Sequence, residues 1–115
     1  MSERRSKYNA RKVHEDGYTF DSIQECYRYR DLVLMERAGV ISNLVVHPVF
    51  LLQENFKDAA TGKRHRAITY EADFQYSENG ITVAEDVKGK STDMFRLKWK
   101  MFRKLYPNLD ARIVK

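Results

Sequence analysis

The sequence predicts an α/β (α+β) domain in which a central mixed sheet is flanked by two helices. Two segments carry helix signals, residues 22–38 and the stretch after residue 91, and the runs between them are rich in β-branched and aromatic residues. The dipeptide Asn79-Gly80, between two alternating runs, is a strong hairpin signal. At 115 residues the chain has room for one such domain.

The N-terminal segment is polar and basic, with few apolar positions. Its composition predicts a mobile basic arm over residues 1–16 that becomes ordered on a partner. The remaining residues, 17–115, are predicted to form the single domain.

The first predicted helix has clear signals at both ends. Ser22-Ile23-Gln24-Glu25 matches a capping box, and the periodic run ends at Ala38-Gly39, which predicts a helix over residues 22–38. Residues 40–53 are strand-like but are interrupted at His47-Pro48, which indicates a bend or a sheet edge. Residues 58–63 are predicted to be a loop.

The second half of the chain predicts a hairpin, a helix and a strand. The hairpin joins the alternating residues 66–76 and 81–88. Ser91-Thr92-Asp93 predicts the start of a helix that runs to about Tyr106, where Pro107 stops it, and residues 109–114 follow as a short strand. The predicted order is therefore α-β-β-β-α-β.

The hairpin register predicts a metal site. A two-residue turn at Asn79-Gly80 would place Asp73 opposite Asp86, and Glu71 opposite Lys88, all on one face of the sheet. Two opposed carboxylates repel one another unless a cation lies between them. Carboxylate oxygens of this kind suit Mg²⁺ or Mn²⁺. The other face should pack on a helix and consists of Ala72, Phe74, Tyr76, Val83, Glu85 and Val87.

These residues resemble a known family of nucleases. Asp73, followed across the hairpin by Asp86-Val87-Lys88-Gly89, resembles the D…(D/E)-x-K core of the PD-(D/E)XK superfamily. The run Phe20-Asp21-Ser22-Ile23-Gln24-Glu25 resembles the opening of its first core helix. Residues 67–74 and 85–90 are similar to small phage-encoded endonucleases of this fold, including Holliday-junction resolvases, and the likeness extends over about residues 7–114. Two positions depart from the superfamily pattern: Glu71-Ala72 stands where it has Pro, and Asp86 replaces the commoner Glu.

The resemblance implies a restriction-endonuclease-like core and a Mg²⁺-dependent (or Mn²⁺-dependent) DNA endonuclease. Its catalytic residues would be Glu25, Asp73, Asp86 and Lys88, with Glu25, Asp73, Asp86 and the Val87 carbonyl as metal ligands. Lys88 would assist the nucleophile. For Glu25, the capping box is a complete structural alternative to metal binding.

The charge distribution indicates where DNA would bind. The chain carries 21 Lys and Arg against 16 Asp and Glu, a net charge of +5, which favours phosphate-rich partners. The candidate DNA-binding residues are Arg64, Arg66, Lys90, Arg96, Lys98, Lys100 and Arg103. A solvated basic face is the alternative for those on the second helix.

The second helix has two apolar stripes. The core stripe is predicted to be Met94, Leu97, Met101 and Leu105. The second stripe, assigned to the core or to a dimer surface, is Phe95, Trp99, Phe102 and Tyr106.

The remaining reactive side chains carry little signal. His14, His47 and His65 lack metal-ligand spacing, and the single cysteine, Cys26, is expected to be buried and inert. No apolar run approaches the roughly 20 residues of a membrane span. The protein is expected to be cytoplasmic, in the bacterial host if it is phage-encoded.

The expected substrate is branched DNA such as a four-way junction, and the family resemblance implies a homodimer that cuts it during phage recombination or replication. A chain this short leaves no room for a separate sequence-reading module, which favours recognition of DNA shape. Two alternatives remain open. One is a non-catalytic DNA-binding accessory for recombination or packaging, and the other is a nicking endonuclease of the same fold with another substrate.

Overall fold

A computed structural model of the chain describes residues 11–88 and 91–115. The strands of this part are β1 Val13–Glu15, β2 Tyr18–Phe20, β3 Ser42–Val46, β4 Val49–Gln53, β5 Phe56–Lys57, β6 Arg64–His65, β7 Ile68–Glu71, β8 Phe74–Glu78, β9 Ile81–Val87 and β10 Asp110–Val114. The helices are α1 Ile23–Arg37 and α2 Asp93–Leu105. The predicted mixture of helices and sheets is confirmed. Within these ranges no helix is both long and apolar enough to cross a membrane.

Both helices begin at the predicted capping residues. The Ser22 hydroxyl accepts a hydrogen bond from the Glu25 N–H at 3.1 Å, and the Thr92 hydroxyl accepts one from the Phe95 N–H at 3.0 Å. Each bond satisfies an N–H group that the first helical turn leaves without a partner. These local contacts explain why the sequence located both helix starts correctly.

The central sheet has four strands in the order β10-β9-β8-β3. Strand β10 runs parallel to β9, whereas the β9–β8 and β8–β3 pairs are antiparallel, so the sheet is mixed. Asn79 and Gly80 form the β8–β9 turn with φ angles of 52° and 78°, and the predicted register from Glu78 opposite Ile81 to Phe74 opposite Glu85 is confirmed.

The prediction of one continuous strand over residues 66–76 is wrong. Strand β7 leaves the central sheet and pairs with β4, which puts Glu71 opposite Val49 instead of Lys88. The Ala72 N–H donates to the Pro48 carbonyl at 3.0 Å, so the β8–β9 ladder ends at Phe74. The predicted pairing of Asp73 with Asp86 is therefore wrong as a strand pair, although the Asp73 N–H still donates to the Glu85 carbonyl at 3.0 Å.

A second correction concerns the N-terminal boundary. Val13–Glu15 forms a hairpin with Tyr18–Phe20 around Asp16 and Gly17, whose φ angles are 53° and 83°. Residues 13–16 of the predicted arm therefore belong to the folded domain, because they pair with β2. The part of the predicted arm before residue 11 lies outside the described residues.

The core has two parts, one associated with each helix. Residues Tyr29 and Leu32 of α1 pack on Phe74, Tyr76 and Val83 of the central sheet, as the predicted apolar face requires. Helix α2 packs on β4 and β7 and also on Ala84 of β9. Because successive strand residues point to opposite faces, the adjacent Val83 and Ala84 contribute to different clusters. Cys26 is buried, as predicted.

The predicted core stripe of α2 is wrong at three of its four positions, and only Met101 is partly buried against the cluster. Met94, Leu97 and Leu105 are 61%, 55% and 50% exposed, whereas Phe95 and Phe102 of the second stripe are buried. The aromatic stripe packs among Phe50 and Tyr70 of the β4–β7 pair, where large flat side chains bury more apolar area than Met or Leu would.

Strands β4 to β7 form a two-stranded ribbon, residues 49–71, in which β4 pairs with β7 and β5 with β6. Phe56 lies opposite His65 and Lys57 opposite Arg64, and the predicted loop over residues 58–63 closes its end. The Asp58 side chain accepts a hydrogen bond from the Ala60 N–H at 2.9 Å, which gives this loop a defined shape.

Candidate metal centre

Residues of α1, of the β7–β8 junction and of β9 lie close together at one place in the fold. Glu25 lies in the first turn of α1, Asp73 at the break between β7 and β8, and Asp86 near the end of β9. Glu25 and Asp86 are 4% and 2% exposed, and Asp73 is partly buried. The structure therefore brings together the three carboxylates that the sequence singled out, although the ladder that was expected to align two of them stops short.

Glu25 does more than cap its helix. The Ser22 hydroxyl caps the Glu25 amide, while the Glu25 carboxylate turns inward and its Oε1 lies 2.9 Å from His47 Nε2. In a capping box the carboxylate would instead return to the N–H of Ser22. The capping explanation thus covers the Glu25 backbone. The Glu25 side chain belongs to the acidic cluster formed by Glu25, Asp73 and Asp86.

His47 is the site residue that the sequence analysis missed. Ligand atoms of Glu25, His47 and Asp73 all lie within 4.8 Å of one another, a spacing that fits one metal ion. His47 had been set aside for lack of a local spacing motif. Its proximity to Asp73 arises through the backbone, because the His47 N–H donates to the Asp73 carbonyl at 2.9 Å. The one signal in the sequence was the bend at His47-Pro48.

Asp73 lies in an environment that disfavours its negative charge. Burial, together with the negative charges of Asp86 and Glu25, raises the pKa of Asp73 to about 9. One contact acts in the other direction, since the Val87 N–H donates to Asp73 Oδ2 at 2.6 Å. A cation among these carboxylates would remove the repulsion that raises this pKa.

Asp86 is buried and only partly satisfied. The Tyr70 hydroxyl donates to Asp86 Oδ2, and burial together with the Asp86 charge raises the pKa of Tyr70, so the hydroxyl keeps the proton that it donates. Lys88 Nζ lies 3.2 Å from Asp86 Oδ1, but the contact lacks hydrogen-bond geometry. Oδ1 is therefore a buried carboxylate oxygen without a hydrogen-bond donor among the described residues.

Lys88 lies beside Asp86, as predicted, and not beside Glu71. Its ammonium is 4.6 Å from the centre of the Phe95 ring, and its backbone N–H donates to the Val114 carbonyl at 2.9 Å. Glu71, predicted to lie opposite Lys88, pairs with Val49 of β4 instead, so a cross-strand ion pair with Glu71 does not explain Lys88. For Val87, the group next to Asp73 is the amide N–H, and a ligand role of its carbonyl stays a prediction.

The donor set fits a divalent cation. Buried carboxylates that repel one another, and an unsatisfied Asp86 oxygen beside them, are features that a bound cation would stabilise. Carboxylate oxygens and one imidazole nitrogen are ordinary ligands of divalent metals. Glu25, His47 and Asp73 form the compact group, and Asp86 adjoins it through its charge on Asp73.

One family model matches almost the whole chain. The family model described as protein of unknown function (DUF1064) matches residues 5–115, which include every residue of the acidic cluster. The chain belongs to the DUF1064 family. No curated protein and no solved structure matches it. The side chains of this DUF1064 member are therefore the basis for its proposed function.

The basic residues of this DUF1064 domain fall into two groups. Arg64 and Arg66 are exposed on the ribbon, and Lys100 is exposed on α2. Two other candidate residues of α2 are engaged within the chain: Arg96 pairs with Asp93, and Arg103 donates to the Ala111 carbonyl at 3.3 Å. Lys98 is partly buried, and Lys90 lies outside the described residues.

Proposed function

We propose that this chain is a divalent-metal-dependent endodeoxyribonuclease of the PD-(D/E)XK type. One observation carries the proposal: the buried Asp86 carboxylate keeps an oxygen without a hydrogen-bond donor, beside Asp73 and Glu25 and within 3.2 Å of the Lys88 ammonium. A structural ion pair would be expected to satisfy both carboxylate oxygens. An acidic cluster with one adjoining lysine is instead suited to a cation and a phosphate.

The topology supports a restriction-endonuclease-like core. The mixed sheet has α1 on one face, and its last strand is parallel to the strand that carries Asp86. With the β1–β2 hairpin and the ribbon set aside, the remaining order approximates the α-β-β-β-α-β order that the family resemblance implies.

Glu25, Asp73 and Asp86 would hold Mg²⁺ or Mn²⁺. The bound cation would supply Lewis acidity toward a phosphate oxygen and would favour ionisation of water at neutral pH. Hydrogen bonds from the surrounding chain keep these ligands in place: the Val87 N–H holds Asp73 Oδ2, and the Tyr70 hydroxyl holds Asp86 Oδ2. Ligands fixed in this way lose little freedom when the substrate binds.

Lys88 would contribute to the chemical step. Its ammonium lies 3.2 Å from Asp86 Oδ1, so a phosphate bound at the cluster would meet a positive charge there. The contact with the Phe95 ring limits the motion of the side chain. Lys88 would donate a hydrogen bond to the attacking water or to a phosphate oxygen, where it stabilises the charge that develops in the transition state.

Branched DNA is the proposed substrate. The exposed Arg64 and Arg66 lie on the ribbon and the exposed Lys100 lies on α2, so the chain offers cationic side chains to DNA phosphates at two places. A homodimer would carry two metal centres and would cut both strands of a four-way junction. The setting that the sequence resemblance suggests is phage recombination or replication in the bacterial host cytoplasm.

The test is cleavage of a labelled panel of duplex, nicked, flap and four-way junction DNA, with Mg²⁺, Mn²⁺ or EDTA. We expect metal-dependent cleavage, strongest on the junction, and none in EDTA. Asp73→Asn should abolish cleavage, whereas the matched control Asp31→Asn, which changes an exposed acid of α1, should not.

Binding of DNA without cleavage of any substrate would contradict the proposal and favour the non-catalytic accessory. Cleavage confined to nicked or duplex DNA would retain the nuclease and reject the junction as its substrate.

A further inference from the structure

His47 is held against the acidic cluster by its backbone as well as its ring. Its N–H donates to the Asp73 carbonyl at 2.9 Å, and its Nε2 lies 2.9 Å from Glu25 Oε1. Phe20 packs nearby, with ring centroids 5.7 Å apart. The imidazole nitrogen that faces Glu25 therefore has a defined position.

The backbone conformation that directs this ring is uncommon. His47 has a φ of 57°, in the left-handed region that non-glycine residues seldom adopt. The next residue, Pro48, begins the passage into β4, so the chain turns from β3 to β4 at His47. Strained residues persist where the surroundings hold them, and they are concentrated at functional sites.

We propose that His47 supplies a nitrogen ligand to the cation and makes the centre prefer first-row transition ions, such as Mn²⁺ and Co²⁺, over Mg²⁺. The inference rests on the proposed metal-dependent function. Imidazole nitrogen binds transition ions well, whereas Mg²⁺ prefers an all-oxygen set. The geometry supplies one such nitrogen within 4.8 Å of carboxylate oxygens of Glu25 and Asp73.

A different role for His47 would be to donate a hydrogen bond to Glu25 and only orient it. The two roles predict different metal selectivity. Loss of an orienting bond would weaken the binding of every divalent cation alike, whereas loss of a nitrogen ligand would weaken the binding of transition ions selectively.

The experiment measures binding of Mn²⁺, Co²⁺ and Mg²⁺ to the full chain by calorimetry, without DNA. His47→Gln retains an amide donor but removes the imidazole, and His47→Asn is a second variant whose side chain tolerates the left-handed backbone. His65→Gln is the matched control, since His65 lies on the ribbon. Thermal midpoints in EDTA establish that each variant is folded.

We expect the unmodified chain and His65→Gln to bind Mn²⁺ and Co²⁺ more tightly than Mg²⁺. Both His47 variants should lose more affinity for the transition ions than the roughly 10- to 100-fold that removal of an orienting partner costs, while their Mg²⁺ affinity changes little. An equal loss for all three cations, or no loss, would overturn the ligand role. If the unmodified chain binds none of the three cations, the proposed metal-dependent function fails as well. If the His47 variants keep the metal selectivity and the DNA cleavage of the unmodified chain, only the ligand role of His47 is rejected.

Discussion

Glu85 and Asp86 are adjacent carboxylates of the same strand, both buried, and they point to opposite faces of the sheet. Glu85 is fully matched. Arg28 donates to its two oxygens at 2.8 Å and 2.6 Å, and the Tyr76 hydroxyl adds a further hydrogen bond to Oε2. Asp86 has Tyr70 on one oxygen, while the other has an ion-pair contact but no hydrogen-bond donor in the described residues.

The two carboxylates differ in how far the protein itself satisfies them, and under the proposed function this difference separates a structural acid, Glu85, from a metal ligand, Asp86. A buried charge is costly unless a partner and hydrogen bonds compensate for it. Glu85 receives that compensation within the protein and forms part of the core. For Asp86 the compensation is incomplete, and a second carboxylate, Asp73, lies close by. Under the proposed function, a bound cation would complete it.

The largest expected effect is the loss of cleavage in Asp86→Asn. Replacing a charged member of a catalytic set by its amide can lower turnover on the order of 10⁴-fold. The fold should be retained, because the change relieves repulsion with Asp73 and leaves an oxygen that can accept from Tyr70. Single-turnover cleavage and the thermal midpoint measure the two effects. Near-normal turnover would reject Asp86 as a site residue.

Glu85→Gln makes the same chemical change one residue earlier and should have the opposite outcome. It leaves the partly buried Arg28 without its carboxylate, which costs about 3 to 5 kcal/mol in the free energy of unfolding. Cleavage by the fraction that remains folded should be nearly normal. Denaturant unfolding tests this directly. A stable but inactive Glu85→Gln variant would remove the distinction between the two acids.

Lys88→Ala tests whether the Lys88 ammonium takes part in the chemical step or only neutralises the charge of Asp86. We expect single-turnover cleavage to fall about 10²- to 10³-fold, which is about 3 to 4 kcal/mol, because one preorganised contact to the transition state is lost. DNA affinity, measured in EDTA, should barely change. A lowered thermal midpoint with an unchanged rate would show that Lys88 is only the counter-ion of Asp86.

Divalent cations should stabilise the protein through the Asp86 side of the sheet alone. At 100 times the dissociation constant, Mn²⁺ should raise the free energy of unfolding by about 2.7 kcal/mol. Asp73→Asn should lose most of this increment and Glu85→Gln should keep it. Thermal midpoints with and without Mn²⁺ provide the measurement, and an equal increment in both variants would place the cation elsewhere.

The smallest effect concerns charge compensation on the surface. Arg64 and Arg66 have no carboxylate within 4.0 Å in the described part of the chain, whereas Arg30 pairs with Glu15 at 2.6 Å. Each Arg that contacts a phosphate should contribute about 1 unit to the slope of log affinity against log salt. Alanine at Arg64 or Arg66 should lower the slope, and Arg30→Ala should not. An unchanged slope in all three would assign the ribbon to a solvated surface.

Local interactions were predicted well from the sequence. Ser22 and Thr92 start their helices, and Asn79-Gly80 sets the hairpin register, because each of these signals acts within a few residues of the chain. The selection of Glu25, Asp73, Asp86 and Lys88 as site candidates depended on the same local patterns and on the family resemblance. The structure brings these side chains to one region of the molecule.

Only the tertiary structure decided the contacts between distant segments. Strand β7 continues an alternating run, yet its backbone groups pair with those of β4 and not with those of β9. Which stripe of α2 is buried depended on that same pairing, since Phe50 and Tyr70 provide the surface on which Phe102 packs.

His47 is the clearest example of a site residue that could not be predicted from the sequence. Its separation from Glu25 and Asp73 in sequence hides any spacing motif, and the left-handed backbone that aims its ring is held by a hydrogen bond to the Asp73 carbonyl. Helix caps and tight turns are encoded by neighbours along the chain, so the sequence alone determined them. The candidate metal centre is assembled from four separate segments, and the packing that unites them is a property of the folded chain.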